Sequence, residues 1–98
     1  MYTIDLSGKI AVVFGIANQR SIAWSITEIL SRAGATIVAA YQNERVRSPV
    51  EKLTSTLSET TTVECDVSDD SNVEAAFDLV KNRYGNVDIV VHSIAFAQ

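Results

Sequence analysis

Short apolar segments, separated by stretches long enough to form helices, constrain the fold of this 98-residue chain most strongly. The first, residues 10–14, reads Ile-Ala-Val-Val-Phe, and such continuous hydrophobicity is typical of a parallel strand buried on both faces. Further strands are predicted at residues 36–41, 61–65 and 87–91. Because the connections are too long for hairpins, we expect right-handed crossovers with helices on both faces of one parallel sheet.

A helix is predicted after each of the first three strands. The first should begin at Ser21 and end near Gly34, because glycine is common just after a helix C-terminus. Its predicted buried stripe comprises Ile22, Ile26, Ile29, Leu30 and Ala33. In the second helix, residues 48–51 combine an N-cap serine, a proline at the first helical position and a capping-box glutamate.

The third helix is predicted to begin at a second capping box, residues 71–74, and to end at Gly85. Its predicted buried face comprises Val73, Ala76, Phe77, Val80 and Tyr84. The element order is then βαβαβαβ, the N-terminal portion of a Rossmann-like, doubly wound α/β sheet. We expect residues 1–98 to be the N-terminal part of a single dinucleotide-binding domain, incomplete at the C-terminus.

The fourth predicted strand carries consecutive apolar residues at 89–91, as a strand covered on both faces does. In the usual doubly wound order, however, this strand lies at the sheet edge. Because exposed apolar edges promote association, we expect the rest of a longer fold, a second copy or another fragment to supply the neighbouring strands.

Composition excludes several other classes of protein. The chain is 47% hydrophobic with a net charge of −4, which is typical of a globular domain and disfavours binding to nucleic acid or an anionic membrane. Cys65 is the single cysteine, so no disulfide framework is predicted. His92 has no second His or Cys at ligand spacing, so no metal site is predicted. With neither a signal peptide nor a membrane-spanning run, we expect a cytoplasmic protein.

The turn at residues 15–21 lies between the first strand and the first helix, where α/β sheets place phosphate groups. Gly15 allows the backbone to turn and to approach a ligand closely. Ser21 stands where helix N–H groups and the helix dipole favour anions, and its hydroxyl is suited to donate to a pyrophosphate oxygen. The G-x-G-x-x-G pattern is absent, so the loop alone fits an ordinary βα turn with a serine N-cap equally well.

Three further positions strengthen the nucleotide-binding interpretation. Gln42 follows the second strand, Asp66 and Val67 follow the third, and residues 93–95 follow the fourth. All lie at carboxyl ends of parallel strands, the side on which such sheets bind ligands. Each alone is consistent with a loop, a turn or a strand exit, but together they outline a groove long enough for a dinucleotide.

At these positions the sequence resembles bacterial-type enoyl-[acyl-carrier-protein] reductases, a divergent branch of the short-chain dehydrogenase/reductase superfamily. The matching motifs are residues 15–22, 41–45, 66–67 and 92–97, and the resemblance covers essentially the whole chain. Members of the commoner branch have two further glycines in the first of these motifs.

The resemblance implies a set of cofactor-binding residues along the groove. They are Gly15, Ser21, Ile22, Gln42, Asp66, Val67 and Ile94. In the family the first three positions hold the pyrophosphate, the fourth lies beside the adenosine ribose, the next two frame the adenine, and the last lines the ribose–nicotinamide region. The backbone of Ala97 is implied to approach the acyl substrate.

The implied reaction is hydride transfer from NADH to the β-carbon of a trans-2-enoyl thioester on acyl carrier protein, the reductive step of fatty-acid elongation. The complete enzyme is implied to be a homotetramer. We expect NADH rather than NADPH because Gln42 is neutral and suits a ribose hydroxyl better than a phosphate. Arg45 and Arg47 nevertheless lie close enough in sequence to keep NADPH open.

The family's catalytic tyrosine and lysine lie beyond the fourth strand. Tyr2, Tyr41 and Tyr84 do not match that tyrosine, so no catalytic residue is assigned and the chain alone is expected to be inactive. Two alternatives stay open: another reductase of the same superfamily, and a non-catalytic nucleotide-binding α/β module.

Overall fold

The computed structural model describes residues 4–16, 19–57 and 59–93. The elements alternate along the chain as β1 (Ile10–Phe14), α1 (Ile22–Arg32), β2 (Thr36–Tyr41), α2 (Glu44–Thr54), β3 (Thr60–Glu64), α3 (Asp70–Tyr84) and β4 (Ile89–His92). The strands form one parallel sheet in the order β3-β2-β1-β4. The predicted doubly wound α/β class is therefore confirmed. The bounds of β1 and β2 match the predicted ones, and those of β3 and β4 are slightly shifted along the chain.

Helices cover both faces of the sheet because the two central strands are apolar, β1 throughout and β2 at every position after Thr36. Side chains alternate along a strand, so Ala11 and Val13 of β1 pack with α1 and α2, whereas Val12 and Phe14 pack with α3. All residues of β1 are buried. This two-sided core fixes the carboxyl ends of β1 and β2 at the middle of one sheet edge.

The predicted buried stripe of α1 is wrong at two of its positions, since Ile22 and Ile29 are 71% and 64% exposed. Its member Leu30 does pack against the core. The fully buried residues are instead Ala23, Trp24 and Thr27. The small Ala23 allows close helix–sheet packing, and Thr27 satisfies its hydroxyl by donating to the Ala23 carbonyl at 2.7 Å. Because a threonine bonded to its own helix can be buried at little cost, hydrophobicity alone placed the centre of the buried face incorrectly.

The predicted start of α2 is also wrong. The helix begins one turn earlier than residues 48–51 suggest, with Asn43 as N-cap accepting the Arg45 N–H at 3.0 Å, and Pro49 lies inside it. A proline within a helix lacks the N–H that would bond the preceding turn. The Asn43 cap and the packing of buried Val50 offset that missing hydrogen bond.

The N-terminus of α3 likewise lies before its predicted capping box. Asp69 is the N-cap, and its Oδ1 accepts the N–H groups of Ser71 and Asn72 at 3.0 and 3.4 Å. The predicted apolar face is correct: Ala76 and Val80 are buried, and the remaining members pack against the same cluster. Gly85 ends the helix at φ 93°, as predicted.

Acidification is expected to weaken the Asp69 cap. Hydrogen bonds from the Ser71 hydroxyl and the Ser71 N–H hold the pKa of Asp69 below its ordinary value of 3.8. A lowered carboxyl pKa stabilises the fold above the unfolded-state pKa, and that stabilisation disappears as pH falls through the folded-state pKa. Asp69→Ala should therefore lower Tm at pH 7 and much less at pH 3, as thermal unfolding followed by circular dichroism would show. Asp78→Asn, exposed in the same helix, is the control, and an Asp69→Ala deficit that persists undiminished at pH 3 would refute this account.

Gly34, directly after α1, has φ 103°, and an added Cβ would lie 2.9 Å from Ser7 Oγ and 3.2 Å from Ser7 N. Gly85 has a similar φ of 93° but open space around the same position. Both alanine variants incur the left-handed backbone cost, about 1 kcal/mol, but only Gly34→Ala also clashes with the Ser7 hydroxyl and crowds the Ser7 backbone N. We expect the larger fall in Tm for Gly34→Ala, and equal falls would show that the contact with Ser7 is unimportant.

Strand β4 lies at an edge of the described sheet, where it pairs with β1. Asp88 fixes its start by accepting the Ile10 N–H on Oδ2 at 2.8 Å and by donating its own N–H to the Ile10 carbonyl at 2.9 Å. Val90 faces the α3 side and is 53% exposed. None of the helices in the described ranges is long and apolar enough to cross a membrane.

Candidate cofactor-binding site

The carboxyl ends of the strands surround a cavity of about 450 Å³. Parallel pairing places these ends side by side, so the residues that follow each strand meet at one edge of the sheet. The residues lining the cavity are Phe14, Gly15, Ile16, Arg20, Ser21, Ile22, Ala40, Gln42, Val46, Cys65, Val67 and Ser93. This set contains Gly15, Ser21, Ile22, Gln42 and Val67 from the predicted cofactor-binding residues.

Gly15 turns the chain out of β1 with φ 104°, a left-handed conformation that glycine adopts without steric cost. Next to it, Ile16 is buried, and Ser93 donates its N–H to the Phe14 carbonyl at 3.2 Å. The turn is therefore supported from both sides while the backbone at Gly15 faces the cavity. A ligand can approach that backbone because no side chain projects from it.

The N-terminus of α1 meets the cavity at Ser21 and Ile22. Ser21 is the N-cap, and its Oγ accepts the Trp24 N–H at 3.2 Å. The N–H groups of Ile22 and Ala23, in the first turn, donate to no acceptor among the described residues. Unpaired N–H groups and the positive end of the helix dipole make this wall suited to an anion.

The opposite wall is formed by β2, the start of α2 and the segment after β3. Exposed Gln42 provides an amide with both donor and acceptor atoms, and Val46 and Val67 provide apolar surface. An amide beside apolar surface suits an adenosine, because the amide can bond the ribose hydroxyl groups while the flat base packs on the apolar side chains. The site thus offers a helix N-terminus suited to an anion at one end and a largely apolar surface at the other.

Cys65 belongs to the buried core on the α3 side of the sheet and also lines the cavity. It is 2% exposed, and burial raises the pKa of its thiol, with Asp66 adding to the rise. Its position directly after β3 was the signal that placed it at the ligand-binding edge. A buried thiol with a raised pKa is a poor nucleophile, so Cys65 lines the cavity without a role as a nucleophile.

Asp66 is not among the residues that line the cavity. Its carboxylate accepts the Ser68 hydroxyl and N–H at 2.6 and 3.0 Å, and these hydrogen bonds lower the pKa of Asp66. It organises the turn that leads to the Asp69 cap. Ile94 and Ala97 lie outside the described residues, so their implied roles stay predictions.

A family model described as enoyl-(acyl carrier protein) reductase matches residues 15–98. The chain belongs to this family. The enoyl-[acyl-carrier-protein] reductase [NADH] FabI of Enterococcus faecalis is 44% identical over 95% of the chain, and the [NADPH] FabI of Staphylococcus aureus is 41% identical over 96%. These alignments span 36% and 38% of the two relatives, so the chain covers little more than a third of their length.

The fold comparison agrees with the family match. A crystal structure of the Anaplasma phagocytophilum reductase in complex with NAD superposes with a TM-score of 0.90 at 36% identity. The alignment covers 100% of this chain and 38% of that one. In the described ranges, no group of three or more His, Cys, Asp or Glu residues could hold a metal ion.

Proposed function

We propose that this chain is the cofactor-binding portion of an NADH-dependent enoyl-[acyl-carrier-protein] reductase of fatty-acid biosynthesis. The observation that carries the proposal is the cavity in which the Gly15 turn, the N-terminus of α1 and Gln42 face one another. Bound NADH supplies the hydride that reduces the trans-2-enoyl thioester in this family. The assembled enzyme is proposed to be a cytoplasmic homotetramer acting on substrates carried by acyl carrier protein.

Each end of the cavity fits a different part of the dinucleotide. The unpaired N–H groups at the start of α1, next to Gly15 and Ser21, suit the pyrophosphate because they offer donors and a positive dipole. Gln42 suits the adenosine ribose, and Val67 offers an apolar surface to the adenine. Asp66 is proposed to act at the adenine too, through the turn that it stabilises, while Ile94 and Ala97 extend the site toward nicotinamide and substrate.

This chain binds and orients the cofactor but is not proposed to carry out proton transfer. Tyr41 is buried, which raises its pKa, and Tyr84 is hydrogen-bonded to Thr61 Oγ1 at 2.7 Å; neither lines the cavity. Tyr2 lies outside the described residues. We therefore expect saturable NADH binding without reduction of an enoyl thioester.

Protection of Cys65 from alkylation tests this proposal. Cys65 lies in the cavity wall, so NADH should slow its reaction with iodoacetamide several-fold in alkaline buffer, in which a larger fraction of the thiol is deprotonated. The rate is measured by mass spectrometry with and without NADH, and ATP serves as the comparison ligand. A rate unchanged by NADH would refute the proposal, and equal protection by ATP would favour the non-catalytic nucleotide-binding module.

A further inference from the structure

Arg47, on the first turns of α2, is held by two carboxylates. Its Nη1 lies 3.2 Å from Glu44 Oε1, and its Nε lies 3.2 Å from Glu51 Oε1. The second oxygen of Glu51 accepts the Thr62 hydroxyl at 3.4 Å, which ties the group to β3. We call Glu44, Arg47 and Glu51 the ion-pair triad.

The triad turns Arg47 away from the cavity. Successive residues of an α-helix are rotated by about 100°, and Val46, the neighbour of Arg47, lines the cavity. Arg47 is therefore rotated away from the direction of Val46, and it does not line the cavity. Its partner Glu51 contacts Thr62, so the ion pair lies on the β3 side of the helix. Arg20 does line it, but beside Ser21 at the α1 end.

A 2′-phosphate on the adenosine ribose requires a cation near the carboxyl end of β2. Arginine suits this task because its planar guanidinium bonds phosphate through two N–H groups. In this chain the residue at that position is the neutral Gln42, and two nitrogens of Arg47, Nη1 and Nε, already pair with carboxylates. Glu44 also places a negative charge in the first turn of α2, close in sequence to Gln42.

From this arrangement we infer that the ion-pair triad determines cofactor selectivity: it withholds Arg47 from the adenosine end and thereby disfavours a nucleotide with a 2′-phosphate. The inference rests on the proposed function, since it concerns the same cofactor site. The sequence left NADPH open because α2 carries two arginines, Arg45 and Arg47. The inference concerns Arg47, which the two glutamates hold.

Releasing Arg47 should raise affinity for NADPH. In Glu44→Gln/Glu51→Gln, we expect the Kd of NADPH to fall about three- to fivefold, the range for one exposed ion pair, while the Kd of NADH stays within about twofold. Adding Arg47→Gln to this double variant should restore the wild-type ratio of the two constants. Titrations of cofactor fluorescence on the whole chain provide these values, and Glu51→Gln alone should give a smaller change in the same direction.

The control removes the same charge elsewhere. Glu74→Gln/Asp78→Asn neutralises two exposed carboxylates on α3, on the opposite face of the sheet, and should leave the ratio unchanged. An unchanged ratio in the double variant would overturn the inference, as would a gain that persists after Arg47→Gln, because that gain would come from lost negative charge alone. If wild-type chain fails to bind NADH, it is the proposed function that fails.

Discussion

Gly15→Val is expected to weaken NADH binding by this chain at least tenfold. Gly15 has φ 104°, and an L-residue there costs about 1–2 kcal/mol, more for a β-branched side chain. The new side chain would also stand where the pyrophosphate approaches the backbone. The backbone strain lowers the stability of the fold, whereas the steric block should raise the Kd of NADH at least tenfold, since each ~1.4 kcal/mol of lost binding energy is a factor of ten. The change is measured by NADH fluorescence titration at matched concentrations.

Gly8→Val is the matched control for this experiment. Gly8 also has a positive φ of 82°, but it lies in an exposed turn before β1, and nothing lies within 4 Å of an added Cβ. It carries a similar backbone strain without reaching the cavity. Equal loss of NADH affinity in both variants would attribute the effect to general destabilisation, and folded Gly15→Val that binds NADH normally would refute the role of the turn.

The largest loss of stability is expected from Ile37→Ala. Ile37 is 0% exposed near the start of β2, where it packs on the α1 and α2 side of the sheet. Replacing a buried isoleucine by alanine removes apolar contact and leaves a cavity, at a cost of about 3 kcal/mol in the free energy of unfolding. In a domain this small, that is a large share of the total stability. Urea unfolding followed by circular dichroism measures the shift in midpoint.

Ile29→Ala provides the comparison, because Ile29 belongs to the stripe that its sequence spacing marks as core. In the structure it is 64% exposed, so its replacement should change the free energy of unfolding by no more than about 0.5 kcal/mol. If Ile29→Ala cost as much as Ile37→Ala, the orientation of α1 described here would be wrong.

The strands were predictable because their signal is local. The run at Ile10–Phe14 is apolar throughout, and its bounds in the structure match the predicted ones. The orientation of α1 was not predictable, since it depends on the close packing that Ala23 permits and on the Thr27 hydroxyl, which donates a hydrogen bond within its own helix. The start of α1 at Ser21 was predicted correctly, but the starts of α2 and α3 were not. Asn43 and Asp69 compete with nearby serines as caps, and only tertiary packing decides among them.

The site was predictable in outline for a topological reason. Parallel strands bring Gly15 and Gln42 to the same edge whatever the details of packing. Side chains contributed by helix and wall positions were missed, since the placement of Val46 depends on where α2 begins and that of Cys65 on the depth of the cavity. For the same reason, the engagement of Arg47 by two glutamates became visible only in three dimensions.

Mapping the NADH contact surface by two-dimensional ¹H–¹⁵N NMR tests the central claim most directly. As NADH is added, we expect saturable shifts at the amides that follow β1, begin α1 and follow β2 and β3. These amides belong to Gly15, Ser21, Ile22, Gln42 and Val67. The amides of Asp78 and Leu79, on the outer face of α3, should stay unchanged. Shifts concentrated on α3, or none at millimolar NADH, would contradict the assignment of this cavity as the cofactor site.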